Sequence, residues 1–269
     1  MGEHLKRLAG SLRGIGKPLA VPAVELEGWV ENSLKESRFS EALLRLSVHP
    51  TPSPLGGQGF TFDKVNFVNF ERTHFVKCKA LTPKSDGLVV LVVREFKPYP
   101  EEFYEKGVAL KTAVSRRWTL KAQDSQVKAS QYVSGVTAFL DNGRSGAHEF
   151  IFLGEGGVVA EGTVSNIFIV KEKRLLTPHA ASGILRGVTR GLAMDLARKR
   201  GLKVSETLIT RHEIYSADEC FITNTSLEIL PVAAMDQRRI GAGGPGPVTR
   251  TLAKDFKKYV RVSLRGVTK

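Results

Sequence analysis

Lys128, Glu161 and a series of amide- and hydroxyl-rich motifs after them hold most of the chemistry this chain can do. Lys128 heads VKASQYV and supplies an amine that can add to an aldehyde when it is neutral. Burial or nearby positive charge lowers a lysine pKa and makes the amine a better nucleophile. Lys128 is expected in the first turn of an amphipathic helix, where the positive helix end disfavours its charged form. Glu161 follows 33 residues later in VVAEGTVSNIFIV, flanked by apolar residues as though carried inward on a strand. A buried carboxylate needs a cationic or hydrogen-bonding partner. A protonated pyridine nitrogen would be one, a structural arginine another. GILRGVTR (183–190) opens a predicted helix, and the free N–H groups of a helix start form an anion site. TNTSLEI adds the hydroxyls of Thr225 and Ser226.

An amine, a carboxylate for a ring nitrogen and a phosphate cradle are the three handles of pyridoxal phosphate (PLP). The order and wording of VKASQYV, VVAEGTVSNIFIV, GILRGVTR, FITNTSLEILPV and GPGPVT resemble the fold-type IV PLP enzymes, the class IV aminotransferases. That family holds branched-chain aminotransferases, D-amino-acid transaminases and 4-amino-4-deoxychorismate lyases. Residues 125–260 match well, 4–12 moderately and 40–90 poorly. The resemblance implies that Lys128 bonds to the cofactor and then moves protons, and that Glu161 keeps the ring nitrogen protonated. It assigns the phosphate to the backbone amides of Val188 and Thr189, the Thr225 hydroxyl, and Arg7 of HLKRL. It sets Tyr132 against the cofactor's phenolic oxygen. Each residue also has a plainer reading. A lone helical lysine is usually exposed, Arg7 lies off the apolar stripe of its helix, and Tyr132 lies on one. Asn166 more often orders a turn than touches a ligand. Gln131 stands where the family usually has Asn.

The elements that must position these residues read as a mixed α+β chain of two domains, 1–104 (a small α/β domain) and 105–269 (a larger PLP-binding domain). Leu5, Leu8, Ala9 and Leu12 predict a helix, and Leu26, Trp29, Val30 and Leu34 a second. LLRLSV and LVVLVV read as strands, the latter buried. Residues 49–87 show no clear pattern, and PYPEEF (98–103) breaks both periodicities. In the second half Ala129, Tyr132, Val133, Val136 and Leu140 outline the buried face of a helix capped by Asp124 or Ser125. EFIFL–VVA and NIFIV–LLT read as hairpins, and a helix runs from about 187 to 200, stopped by Gly201. Only three residues precede His4, where the family usually begins with a strand and a Gly- and aromatic-rich segment, so the small domain is expected to be shortened or diverged.

With 42% hydrophobic and 25% charged residues, the composition is that of an ordinary soluble domain. No apolar run is long enough for a membrane span, and MGEHLKRLAGS lacks a signal core. The net charge is +13, and its nearest approach to a cluster is the tail, with seven basic residues and one acid, where Leu252, Phe256 and Val260 recur at helical spacing. Those cations therefore read as a solvated helix face rather than a nucleic-acid site. Two cysteines fit a reducing cytoplasm, and the histidines show no metal-ligand spacing. The expected activity is amino transfer between an α-amino acid, branched-chain or D-configured, and a 2-oxo acid. The alternatives are an aminodeoxychorismate lyase and a non-catalytic PLP-binding homologue. A homodimer is implied by the resemblance.

Overall fold

The computed structural model describes the chain except residues 17–18, 20, 38, 40, 51–73, 81–86, 115–125, 129–132, 143–144 and 266–269. The chain divides into two compact units between Pro98 and Tyr99.

The first unit comprises α1 (Gly2–Gly14), α2 (Ala23–Ser37), β1 (Ala42–Pro50), β2 (His74–Ala80) and β3 (Gly87–Glu95). Its three strands form an antiparallel sheet in the order β1-β3-β2. The helical spacing of the leucines does what it predicts: Leu5 and Leu26 pack on Val89, and Val30 packs with Leu91 and Val93. Burial along β3 nevertheless alternates. Val89, Leu91 and Val93 are buried while Val90 and Val92 are only partly so. An all-apolar run suggests cover on both faces, but here α1 and α2 pack on the alternate set of β3 residues. Strand β2 lies in the stretch that showed no legible pattern.

The second unit is built on a nine-stranded sheet. Its members are β4 (Val108–Thr112), β5 (Glu149–Leu153), β6 (Val159–Gly162), β7 (Asn166–Lys171), β8 (Arg174–Pro178), β9 (Lys203–Thr207), β10 (Glu219–Asn224), β11 (Glu228–Met235) and β12 (Arg238–Arg239). The order is β6-β5-β4-β11-β10-β7-β8-β9, with β12 on β11. Both expected hairpins form, and β7–β8 turns on Glu172 and Lys173, both at positive φ. α3 (Glu101–Lys106) and β4 were not legible; β4 is five residues long, too short to show a period. The central strands alternate inward and outward. Ile167, Ile169, Cys220 and Ile222 join one core, with Ile214 of α6 (Arg211–Tyr215). Phe168 and Phe221 stack at 4.8 Å on the opposite face, under α5 (Val188–Lys199) and α7 (Pro247–Arg265). In α7 Leu252 and Phe256 are buried while Lys254, Lys257, Lys258 and Arg261 face solvent.

Two local expectations are corrected. Lys128 is not helical; it lies in coil after a turn at Gln126–Val127, and α4 is described from Val133 to Asn142. Gln126 Nε2 donates to the Ile184 carbonyl at 2.8 Å and ties this segment to the strip before α5. Of the buried face expected for α4, Val136 and Leu140 are also corrected, and Ala129 and Tyr132 lie outside the described residues. Ala138 is fully buried, and Gly135 abuts Thr163, whereas Val136 and Leu140 are 55% and 76% exposed. Small residues let the helix approach β5 closely, and that turns its larger side chains outward.

Candidate active site

Glu161 lies one residue before the end of β6 and is buried, only 7% exposed. Two donors hold its Oε2: Asn166 Nδ2 at 3.0 Å and the Leu185 backbone N–H at 2.8 Å. The same Asn166 amide donates to the Leu185 carbonyl at 2.9 Å. One carboxamide therefore clamps the carboxylate to the strip that leads into α5, a larger task than ordering a turn. The motif around Glu161 is explained by a second buried acid that sequence reasoning missed. Glu149 accepts hydrogen bonds from Thr163 Oγ1 at 3.1 Å, Val164 N at 2.8 Å and Ser165 Oγ at 2.8 Å. A Cβ on Gly162 would strike the Glu149 carboxylate and the Ser165 hydroxyl. EGTVSN is thus one unit: a glycine for close approach, two hydroxyls for Glu149 and an amide for Glu161. The available signal was a glutamate opening the apolar strand EFIFL.

The strip 183–187 runs from Gly183, at φ 81°, into the first turn of α5. Gly187 is the N-cap and offers no side chain to the free N–H groups of Val188 and Thr189. A Cβ on Gly187 would collide with Asn166 Oδ1, so the glycine lets Asn166 approach the helix start. Arg190 fixes α5 from below. Its side chain, 4% exposed, donates to Thr177 Oγ1 at 3.3 Å, the Pro178 carbonyl at 3.0 Å and Glu206 Oε2 at 2.9 Å.

The β10–β11 turn holds Thr225. Asn224 Oδ1 accepts from Ser226 N at 2.9 Å and Leu227 N at 2.7 Å and so sets the turn, leaving Thr225 exposed. Register pairs Thr223 with Asn166, so this turn lies at the same sheet end as Asn166. Lys128 is exposed and follows Gln126, whose bond to Ile184 places the segment beside the 184–187 strip. Glu161, Asn166, Val188, Thr189 and the 126–128 segment are therefore brought together. Arg7 sits in the first unit, partly buried, with Nη2 at 3.4 Å from His4 Nδ1; burial pulls its pKa below the usual arginine value. Tyr132 lies outside the described residues.

This donor set suits PLP. A buried carboxylate faces the strip, the helix start has no side-chain cap, and the Thr223 hydroxyl nearby is buried without a hydrogen-bond partner among the described residues. The fold and these residues together define an aminotransferase of the PLP-dependent kind. The match to the amino-transferase class IV family model extends over residues 1–235, and the chain belongs to that family. It is 37% identical to the branched-chain-amino-acid aminotransferase of Salmonella typhimurium, over 94% of this chain and 76% of that protein. To the D-alanine aminotransferase of Bacillus licheniformis it is 28% identical, over 94% of this chain and 79% of that one. Among solved structures, the branched-chain amino acid aminotransferase of Escherichia coli superposes with a TM-score of 0.79 at 26% identity. That likeness covers 95% of this chain and 78% of the other. A second branched-chain enzyme, solved with pyridoxamine 5'-phosphate, superposes with a TM-score of 0.80 at 27% identity, over 96% of this chain and 78% of its own.

Proposed function

We propose that this aminotransferase moves the amino group of a branched-chain amino acid to a 2-oxo acid, through Lys128, with Glu161 as the carboxylate partner of the ring nitrogen. Several relatives carry branched-chain names, which supports the substrate class. The observation that carries the site assignment is the Asn166 clamp, which holds a buried carboxylate against the strip entering α5. PLP supplies an electron sink once its ring nitrogen is protonated. In this chain Glu161 holds that proton's counter-charge away from water, and Asn166 and the Leu185 N–H keep its carboxylate oriented. Val188, Thr189 and Thr225 would bind the phosphate in the second unit; the resemblance adds Arg7 to that role and would set Tyr132 against the phenolic oxygen. Lys128 accepts and returns the substrate's α-proton as general base and acid. Its exposure lets substrate reach the amine.

The proposed assembly is a homodimer, and its support is the outward apolar face of α4. Val136, Phe139 and Leu140 share that face, and Val164 follows Thr163, which abuts Gly135. The proposed location is the cytoplasm: Cys220 is a buried free thiol, as a reducing compartment allows. The test pairs activity with chemistry. Protein loaded with PLP should convert 2-oxoglutarate to glutamate with L-leucine or L-valine. Borohydride should fix the cofactor to Lys128 in a peptide map. Attachment at Lys111 or Lys121, or transfer from D-alanine alone, overturns the corresponding part of the proposal.

A further inference from the structure

Thr223 lies on β10 directly opposite Asn166 of β7, and both side chains emerge on the sheet face that α5 covers. Two residues earlier on the same face, Phe221 is packed in the apolar core beneath α5 and α7. The change from Phe221 to Thr223 marks where that core gives way to the polar start of α5. Thr223 is 1% exposed, and its Oγ1 has no hydrogen-bond partner among the described residues. A buried hydroxyl is normally paired, because leaving it unpaired forfeits its solvation for nothing. Asn166, its cross-strand neighbour, spends its Nδ2 on Glu161 and the Leu185 carbonyl, and its Oδ1 lies against Gly187, the N-cap of α5. Valine would fill the same volume, suit the strand and bring no polar atom to be desolvated.

We propose that Thr223 is a further phosphate-binding residue: its hydroxyl donates to the cofactor phosphate at the start of α5, beside the backbone amides of Val188 and Thr189. This rests on the phosphate site proposed above. The role makes apo and loaded protein respond in opposite directions to Thr223→Val. Without cofactor, the variant removes an unpaired buried hydroxyl, so its melting temperature should stay level or rise. With cofactor, it removes a charge-assisted hydrogen bond, so PLP affinity should fall about tenfold or more. Pyridoxal, which has the same ring without phosphate, should bind both proteins equally. Thr223→Ser keeps the donor and should retain most of the PLP affinity.

The measurements are fluorescence titrations of PLP and pyridoxal into apo protein, with thermal melts of the same apo samples. Unchanged PLP affinity in Thr223→Val, or an equal loss for pyridoxal, overturns the assignment. So does a fall in the apo melting temperature together with lost affinity, since that marks a structural role. Should the valine variant not fold, Thr223→Ala and Thr223→Ser carry the same comparison. Wild-type protein that binds PLP no better than pyridoxal would refute the underlying phosphate site instead. Wild-type discrimination that survives in Thr223→Val would refute Thr223 alone.

Discussion

Glu149 and Glu161 are two buried acids separated by a hairpin, and they do different work. Glu161 faces the strip that enters α5, whereas Glu149 gathers three donors and shapes the turn between them. Desolvation raises the Glu149 pKa, against the pull of those donors. A carboxyl with a raised folded pKa favours the folded state below the ordinary carboxylate range, near about 4.3. That contribution disappears as pH rises through the folded value. Glu149→Gln abolishes the titration and keeps an acceptor. Relative to wild type, its melting temperature should be higher at pH 7 than at pH 4; a constant difference across that range would show that Glu149 does not titrate with folding. Glu149→Ala leaves the donors unmatched and should cost roughly 2–3 kcal/mol at neutral pH. The sequence made Glu161 legible because its flanks, spacing and resemblance agreed. Glu149 stayed hidden because its partners are two hydroxyls and an amide fourteen to sixteen residues away, a pattern with no period.

At the scale of elements, α5 was legible from end to end. Val188, Leu192 and Leu196 set its period, and Gly201, at φ 77°, follows its last turn. Its anchoring was not legible. Arg190 sits in the GILRGVTR motif, but the motif gives no sign that its guanidinium is buried against β8 and β9. Removing one member of a buried ion pair costs about 3–5 kcal/mol. Glu206 is partly solvated, so Arg190→Ala should cost about 2–3 kcal/mol in urea denaturation, toward or below the low end of that range. Arg190→Lys should recover little, since an ammonium cannot span three acceptors with a planar fork. A loss under about 0.5 kcal/mol, typical of surface substitutions, would mean that α5 is held by its apolar face alone. In α4 a helix was expected and formed, but Val136 and Leu140 face outward instead of inward. Alternating small and large residues fit either side, and Gly135 and Ala138 took the buried one.

For the whole molecule, the outward face of α4 becomes informative. Val136, Phe139 and Leu140 present apolar surface that the second unit leaves uncovered, and Phe139 is pinned edge-on to Phe150 at 4.8 Å. If a second copy covers this face, Leu140→Glu should yield monomers in sedimentation velocity while circular dichroism stays native. A dimer that survives Leu140→Glu at micromolar concentration places the interface elsewhere. The second unit was more legible than the first because its hairpins and capped helices announce themselves locally. In the first unit β2 pairs with β3 across an intervening stretch that carries no periodic signal.

GPGPVT has a structural task of its own. Glu219, buried on β10, accepts from Val248 N at 3.0 Å, Thr249 N at 2.7 Å and Thr249 Oγ1 at 2.6 Å, and Gly246 leaves room for it. A central strand thus carries the cap of a helix made thirty residues later. A chain truncated before residue 246 would leave the buried Glu219 carboxylate without these three donors, so such a truncation should destabilise the sheet as well as remove α7.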